Sequence, residues 1–295
     1  MDIMENTLYE QYKDTGFSWL IVLSSIPIVV ITVPGILMNI ALIWITIKNK
    51  KLHGTSNILL AQCAFYEIIH EFGNLIMFYF NLIGINFLPY SQIILIFFIP
   101  IFAACNIGPL FVFTGLDRLF CILFPLFLLN INSLFYLIGI SLICFIYCLI
   151  FPIGLLWFNN INSQTLIPPT LSDIFSRGTF GTIYSYSNFI LYNITIILYL
   201  IVGILVKIKN VQTKNSSTAP SSSSSTSNRL YRSLLIIIIF NLGGYYIMRI
   251  FTLWIFPLIT NQVNAWFIRK IVSILLNLSV VANSPVLYFT SYEEI

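Results

Sequence analysis

The stretch YSQIILIFFIPIFAACNIGPLFVFTGLDRLFCILFP, Tyr90–Pro125, decides the fold. No charge interrupts it between Tyr90 and Leu116, and then an acid and a base stand together at Asp117 and Arg118. Crossing a hydrocarbon core of about 30 Å takes roughly 20 helical residues, so this run can traverse lipid and bring its first charges out at one face. Six further runs of comparable character flank it, at about 19–47, 57–83, 131–158, 183–208, 231–259 and 265–290. With the quoted run at about 90–124, the count is seven. None has the polar/apolar alternation of a membrane barrel strand, and an open strand would leave backbone groups unpaired in lipid, which leaves helix. The expectation is an all-α membrane protein, a single domain over 1–295 built as a seven-transmembrane helix bundle.

Composition says the same. The chain is 58% hydrophobic and 8% charged, more apolar surface than a soluble core of 295 residues can hide. Cations assign a direction. Lys48, Lys50, Lys51, Arg118, Lys207, Lys209, Lys214, Arg229 and Arg232 fall on one side, nine in all, against Lys13, Arg177, Arg269 and Lys270 on the other. The expectation is a multi-pass plasma-membrane protein with its N-terminus (about 1–18) outside and its C-terminus, a short tail at 289–295, in the cytosol. Residues 1–18 carry Glu5, Glu10 and Asp14 and no cationic n-region, so the first span serves as insertion signal. The net charge of +4 follows from this topology and gives no reason to expect nucleic acid as a partner.

All five cysteines, 63, 105, 121, 144 and 148, fall within spans or at an inner helix end, so no outer disulfide is expected. The sequons at Asn193 and Asn277 lie inside spans and that at Asn215 on the cytosolic side. Residues 209–230 include the run Ser221–Ser225 and read as a disordered cytosolic loop, a flexible tether or a phosphorylation platform through which a receptor kinase and arrestin would act.

Three local patterns carry a family resemblance: Gly35-x-x-x-Asn39; the segment Lys50-Lys51-Leu52-His53-Gly54-Thr55-Ser56-Asn57 continuing through Ala64 to Glu67 and His70; and Gly115-Leu116-Asp117-Arg118-Leu119 with Phe124-Pro125, matched by Asn283-Ser284-Pro285-Val286-Leu287-Tyr288. In that order the chain resembles the rhodopsin-like G-protein-coupled receptors, and within them the nematode serpentine chemoreceptors of the srsx class. Two departures stand out. The disulfide that usually ties the outer end of span three to the second outer loop has neither cysteine here, which leaves that loop less constrained. Span six has Leu253-Trp254-Ile255-Phe256-Pro257 near its outer end in place of the usual aromatic-x-Pro switch.

The resemblance implies a chemosensory receptor that binds a small molecule or peptide among its outer helix halves and activates a heterotrimeric G protein. Asp117 would hold Arg118 at rest, and Pro285 and Tyr288 would transmit the change. No enzyme chemistry is implied, and the two histidines, His53 and His70, share no site. Asn39, Glu67, Asn106 and Ser284 would line a polar core in which sodium is the candidate ion and no other cofactor is expected. Glu71 lies one turn beyond Glu67, so two carboxylates stack on one helical face; Arg249 is the cation available to Glu71, or else it snorkels outward or meets an anionic ligand. Ligand candidates are Gln92, Tyr184, Tyr186, Asn188, Tyr192, Tyr246, Arg249 and Trp254. Pro100, five turns above Arg118, stands where amine receptors carry an aspartate, and 274–281 lacks a retinal lysine. The alternative is a cation channel or proton-coupled transporter using Glu67, His70 and Glu71.

Overall fold

A computed structural model describes residues 5–126, 131–162, 165–176, 178–215, 240 and 242–281. Pro285, Tyr288, Ser284, Arg177, Arg229, Arg232 and the serine run lie outside them. After a short helix α1 (Glu5–Tyr12) come α2 (Trp19–Lys48) and α3 (Thr55–Leu82), separated by a 3-10 turn at Lys50–Leu52. The third span is the pair α4 (Tyr90–Ile96) and α5 (Phe98–Leu123), the fourth is α6 (Ser133–Asn162), and a five-residue helix α7 (Leu171–Phe175) precedes the fifth, α8 (Gly178–Asn215). The sixth is described over α9 (Leu242–Leu258), the seventh over α10 (Gln262–Val281).

The run that decided the fold is bent once. Pro100 has no N–H to give to Ile96 and its ring crowds that carbonyl, so regular helix stops at Ile96 and resumes at Phe98, with Phe97 fully buried at the joint. The same chemistry acts in α9, where Pro257 faces the carbonyl of Leu253. Residues Phe251–Ile255 widen into a π turn, with Phe256 donating to the Phe251 carbonyl, and Phe256–Leu258 tighten to 3-10 before the helix ends.

Burial ranks the spans. In the most apolar stretch of α5, 72% of residues are buried within the protein, against 22% in α6 and α8, so α5 is the central helix and the other two spend most of their surface on lipid. Leu142, Ile143, Ile146, Ile150 and Ile153 make α6's lipid face. Helix α5 packs on α3, α6 and α8, while α2 closes the ring against α3 and α10. Close approach of α5 to α8 depends on Gly108, where a Cβ would stand 2.7 Å from the Asn188 side chain.

The loop between α6 and α8 is firmly held despite the missing disulfide. Its strand β2 (Leu166–Ile167) pairs antiparallel with β1 (Leu88–Pro89), and the Tyr90 amide donates to the Thr165 carbonyl at 2.9 Å. Backbone pairing thus joins the start of the third span to this loop, which corrects the expectation of a loosely constrained one. Beyond it, Thr170 caps α7 by accepting from the Asp173 amide. Ile174 is fully buried and Phe175 stacks on Tyr184 with ring centres 4.0 Å apart. Helix α7 therefore plugs one end of the bundle, called the lid end below. Tyr12 of α1 is buried there against Ile21 and Trp266, and Asn86 donates to the Gly16 carbonyl at 2.7 Å, so the first residues described pack on the bundle.

Candidate functional site

Beneath α7 lies a cavity of about 80 Å³ walled by α3, α5, α8, α9 and α10. His70 and Asn74 reach it from α3, Tyr184 from α8, Arg249 from α9, and Lys270, Ser273 and Asn277 from α10, while Leu171 and Phe175 close it from above. The spacing of 70 and 74, and of 270, 273 and 277, is that of residues stacked on one helical face. Among the described residues no carboxylate lines it.

The acids that might have entered are engaged elsewhere. Glu71 is fully buried and accepts from Thr32 Oγ1 at 2.5 Å and Asn74 Nδ2 at 3.0 Å, and no ion pair to Arg249 forms. The guanidinium instead lies over the Tyr184 ring, 4.6 Å from its centre, with Ser185 Oγ at 3.4 Å. Asp173 of α7 accepts from Arg269 at 2.7 Å and from Trp266 Nε1 at 3.2 Å. Lys270 points inward, is 4% exposed, and rests against Met77 Sδ at 2.8 Å and the Trp266 ring. This residue, counted above with the outer cations, is a buried cavity residue.

Of the ligand candidates, Tyr184 and Arg249 line the cavity. Tyr192 and Asn188 are buried in the neighbouring core, where Asn188 donates to the Tyr184 carbonyl at 3.0 Å. Tyr246 is partly buried, stacked on Phe189 and bonded to Asn193 at 3.2 Å. Gln92, Tyr186 and Trp254 are exposed, Tyr186 lining a second, more open pocket of about 340 Å³ together with Arg269. Asn74, Lys270, Ser273 and Asn277 were not anticipated; a lysine and two asparagines inside apolar runs were the available signal.

A polar belt crosses the bundle below the cavity. Asn74 Nδ2 lies 2.9 Å from Asn277 Oδ1, which links α3 to α10, and Thr32 adds α2. Two turns back along α3 from Asn74, Glu67 accepts from Asn39 Nδ2 at 3.2 Å. Asn106 donates to its own helix at the Phe102 carbonyl, 2.9 Å, and its Oδ1 is buried without a donor among the described residues, as is that of Asn39.

At the far end Asp117 is fully buried and does not bond Arg118. It accepts from Thr55 Oγ1 at 2.7 Å and from Ser56 Oγ, the first residues of α3, so its charge stands against the start of that helix, the end where unsatisfied amides favour an anion. Arg118 reaches Asn57 Oδ1 at 3.4 Å, and its Nε has no acceptor among the described residues. The implied resting hold of Asp117 on Arg118 is therefore replaced by a clamp of the Thr55-Ser56-Asn57 tripeptide on both.

A family model of the serpentine type 7TM GPCR chemoreceptors, Srsx, matches residues 32–293. The chain belongs to the Srsx family. This Srsx chain is accordingly a multi-pass membrane chemosensory receptor with a seven-helix bundle, and not an enzyme. No curated protein matches it. Membership sets aside the channel reading, and among Glu67, His70 and Glu71 only His70 touches the cavity.

Proposed function

We propose that this receptor binds a small molecule in the cavity under α7, with the lid end facing outside, and catalyses nucleotide exchange on a heterotrimeric G protein at the Arg118 end. The observation that carries the reading is the cavity itself, lined by apolar and aromatic side chains with Arg249, Lys270 and His70 among them, and walled by helices that pack on α5, which carries Arg118. A ligand that prefers a different spacing of α9 and α10 shifts the population of bundle states, and Pro285 and Tyr288 are the proposed relay at the far end. A peptide is the less favoured ligand class, because α7 leaves about 80 Å³ beneath it. The two donor-free amide oxygens of Asn39 and Asn106, with the carboxylate of Glu67, are oxygen ligands of the kind a hard cation takes, so sodium belongs to this proposal together with Ser284. Phosphorylation of the 209–230 loop by a receptor kinase, and arrestin capture, complete it.

Arg118→Ala tests the coupling end. Surface expression is expected to stay near wild type, since Arg118 has one long hydrogen bond to lose, while agonist-driven G-protein activation falls to background. An undiminished response would remove Arg118 from the coupling face. For orientation, an epitope within 209–230 is expected to bind antibody only after the cells are permeabilised, and labelling of intact cells would reverse the proposed topology.

A further inference from the structure

Among the described residues, the cavity is lined by two buried cations and no anion. Arg249 is 8% exposed and Lys270 4%, and both line the same space. Among the described residues their direct contacts are with neutral groups, and the Asp173 carboxylate acts on Lys270 only from a distance. Arg249 has the Tyr184 ring and the Ser185 hydroxyl, and Lys270 has a thioether and the Trp266 ring. Across the wall, His70 adds an Nδ1 that is buried without a partner among the described residues. The two nearby acids are held outside the cavity lining, Glu71 by Thr32 and Asn74 on its Oε2 with Oε1 buried and unpartnered among the described residues, and Asp173 by Arg269 and Trp266. Isolated buried charges are costly, and two of one sign facing a common space raise that cost further. Such an arrangement is relieved by an anion in the cavity.

Deepening the receptor reading, on which it rests, we propose that the ligand is a small carboxylate, with its two oxygens on the Arg249 fork and Lys270 supplying the second positive charge. Three features select a carboxylate. A guanidinium matches its planar pair of oxygens in a way an ammonium does not. The remaining walls are mostly apolar or aromatic, from Ile28, Ala104, Met248 and Leu276 to Phe175, and suit a hydrocarbon tail better than the further charges of phosphate or sulfate. The volume, about 80 Å³, is near half that of an engineered cavity able to hold benzene, which suits an acid of roughly three to six non-hydrogen atoms.

The test uses the purified full-length receptor in detergent, with thermal unfolding read at constant ionic strength. The probes are sodium acetate, propionate and butyrate, the corresponding primary amides, and sodium sulfate and phosphate. The acids are expected to raise the unfolding midpoint in a concentration-dependent way, while the amides and inorganic anions do not. Arg249→Gln and Lys270→Gln are each expected to weaken the acid's apparent affinity by roughly thirtyfold or more, and Arg249→Lys by less, because it keeps the charge but not the fork. Each Gln variant sheds an unpaired buried charge, so its midpoint without acid is expected to match or exceed wild type; a lost acid response then cannot be laid to misfolding. Equal shifts from acid and amide, a full acid response in Arg249→Gln, or shifts from sulfate and phosphate that match those of the acids would each overturn the assignment. If the acids bind as described yet fail to activate a G protein in cells, the signalling proposal falls and the ligand class stands. If activation is obtained only with neutral or cationic compounds, the reverse holds.

Discussion

Replacing Asp173 with alanine should unseat the lid. The carboxylate is the common acceptor for Arg269 at 2.7 Å, Trp266 Nε1 at 3.2 Å and Thr170 Oγ1 at 2.5 Å, and it ties α7 to α10 in the absence of a disulfide. Removal leaves an indole N–H, buried with Trp266 at 6% exposure, without its acceptor, while Arg269, with 17% of its side chain exposed, can turn toward solvent over Phe256. Hydrogen bonds to a charged acceptor contribute more than neutral ones, and three are lost together, so a cost of about 3 kcal/mol is expected. Hydrogen exchange across residues 165–176 should then quicken by roughly a hundredfold, and the unfolding midpoint should drop by on the order of 5 °C. Arg269→Gln removes only the partner that water can replace, and should cost about 1 kcal/mol. Equal effects for the two substitutions would mean that the ion pair, and not the indole and cap bonds, holds the lid.

The contrast between lid and spans marks what sequence could reveal. Long apolar runs announce themselves, and the read boundaries 19–47, 57–83 and 131–158 lie close to the helices Trp19–Lys48, Thr55–Leu82 and Ser133–Asn162. Hydropathy ends at Lys207, but backbone hydrogen bonding does not, so α8 continues to Asn215. Helix α7 has five residues behind Pro168 and Pro169, far shorter than any membrane-length window, and its place is set by contacts with α8 and α10 that follow it in the chain. The site divides in the same way. Glu67, Glu71 and Arg249 stand out as charges within apolar runs, whereas the partner of Glu71 is Thr32, 39 residues earlier, and a threonine in a helix carries no mark of that role. Lys270 was legible in principle, lying inside the 265–290 run, but its nearness to Arg269 suggested the rim where positive charge usually collects. The 20-residue helix instead starts at Gln262, which places Lys270 more than two turns in and on the face toward Met77.

The same kind of long-range pairing governs the second large effect, expected at the Arg118 end. Substituting Thr55→Val and Ser56→Ala together removes two hydroxyl donors from Asp117, which is fully buried and whose other neighbours among the described residues are Tyr136 and a distant Cys121 thiol at 4.0 Å. Gly54, at the cap position of α3, offers no side chain, so nothing local substitutes for Asp117 at that terminus either. Two charge-assisted hydrogen bonds at about 1.5 kcal/mol or more each put the loss near 3 kcal/mol, among the larger costs available to changes of two small polar residues. Asp117→Asn should cost less by itself, about 1–2 kcal/mol, since an amide oxygen still accepts from one hydroxyl. The informative comparison is the triple variant. If the hydroxyls matter because they solvate a buried charge, removing that charge removes the need for them, and Asp117→Asn in the Thr55→Val, Ser56→Ala background should restore roughly 1–2 kcal/mol of the loss instead of adding to it. Thermal unfolding of the four proteins in one detergent closes the cycle. Purely additive losses would mean that Thr55 and Ser56 act through helix packing alone, and that the carboxylate of Asp117 is held by something other than the clamp. With the clamp removed and the charge retained, Arg118 is the nearest cation in sequence, so the altered receptor should also signal less readily as the acid turns to its neighbour; that weakened response should be relieved by Asp117→Asn in parallel with the recovered stability.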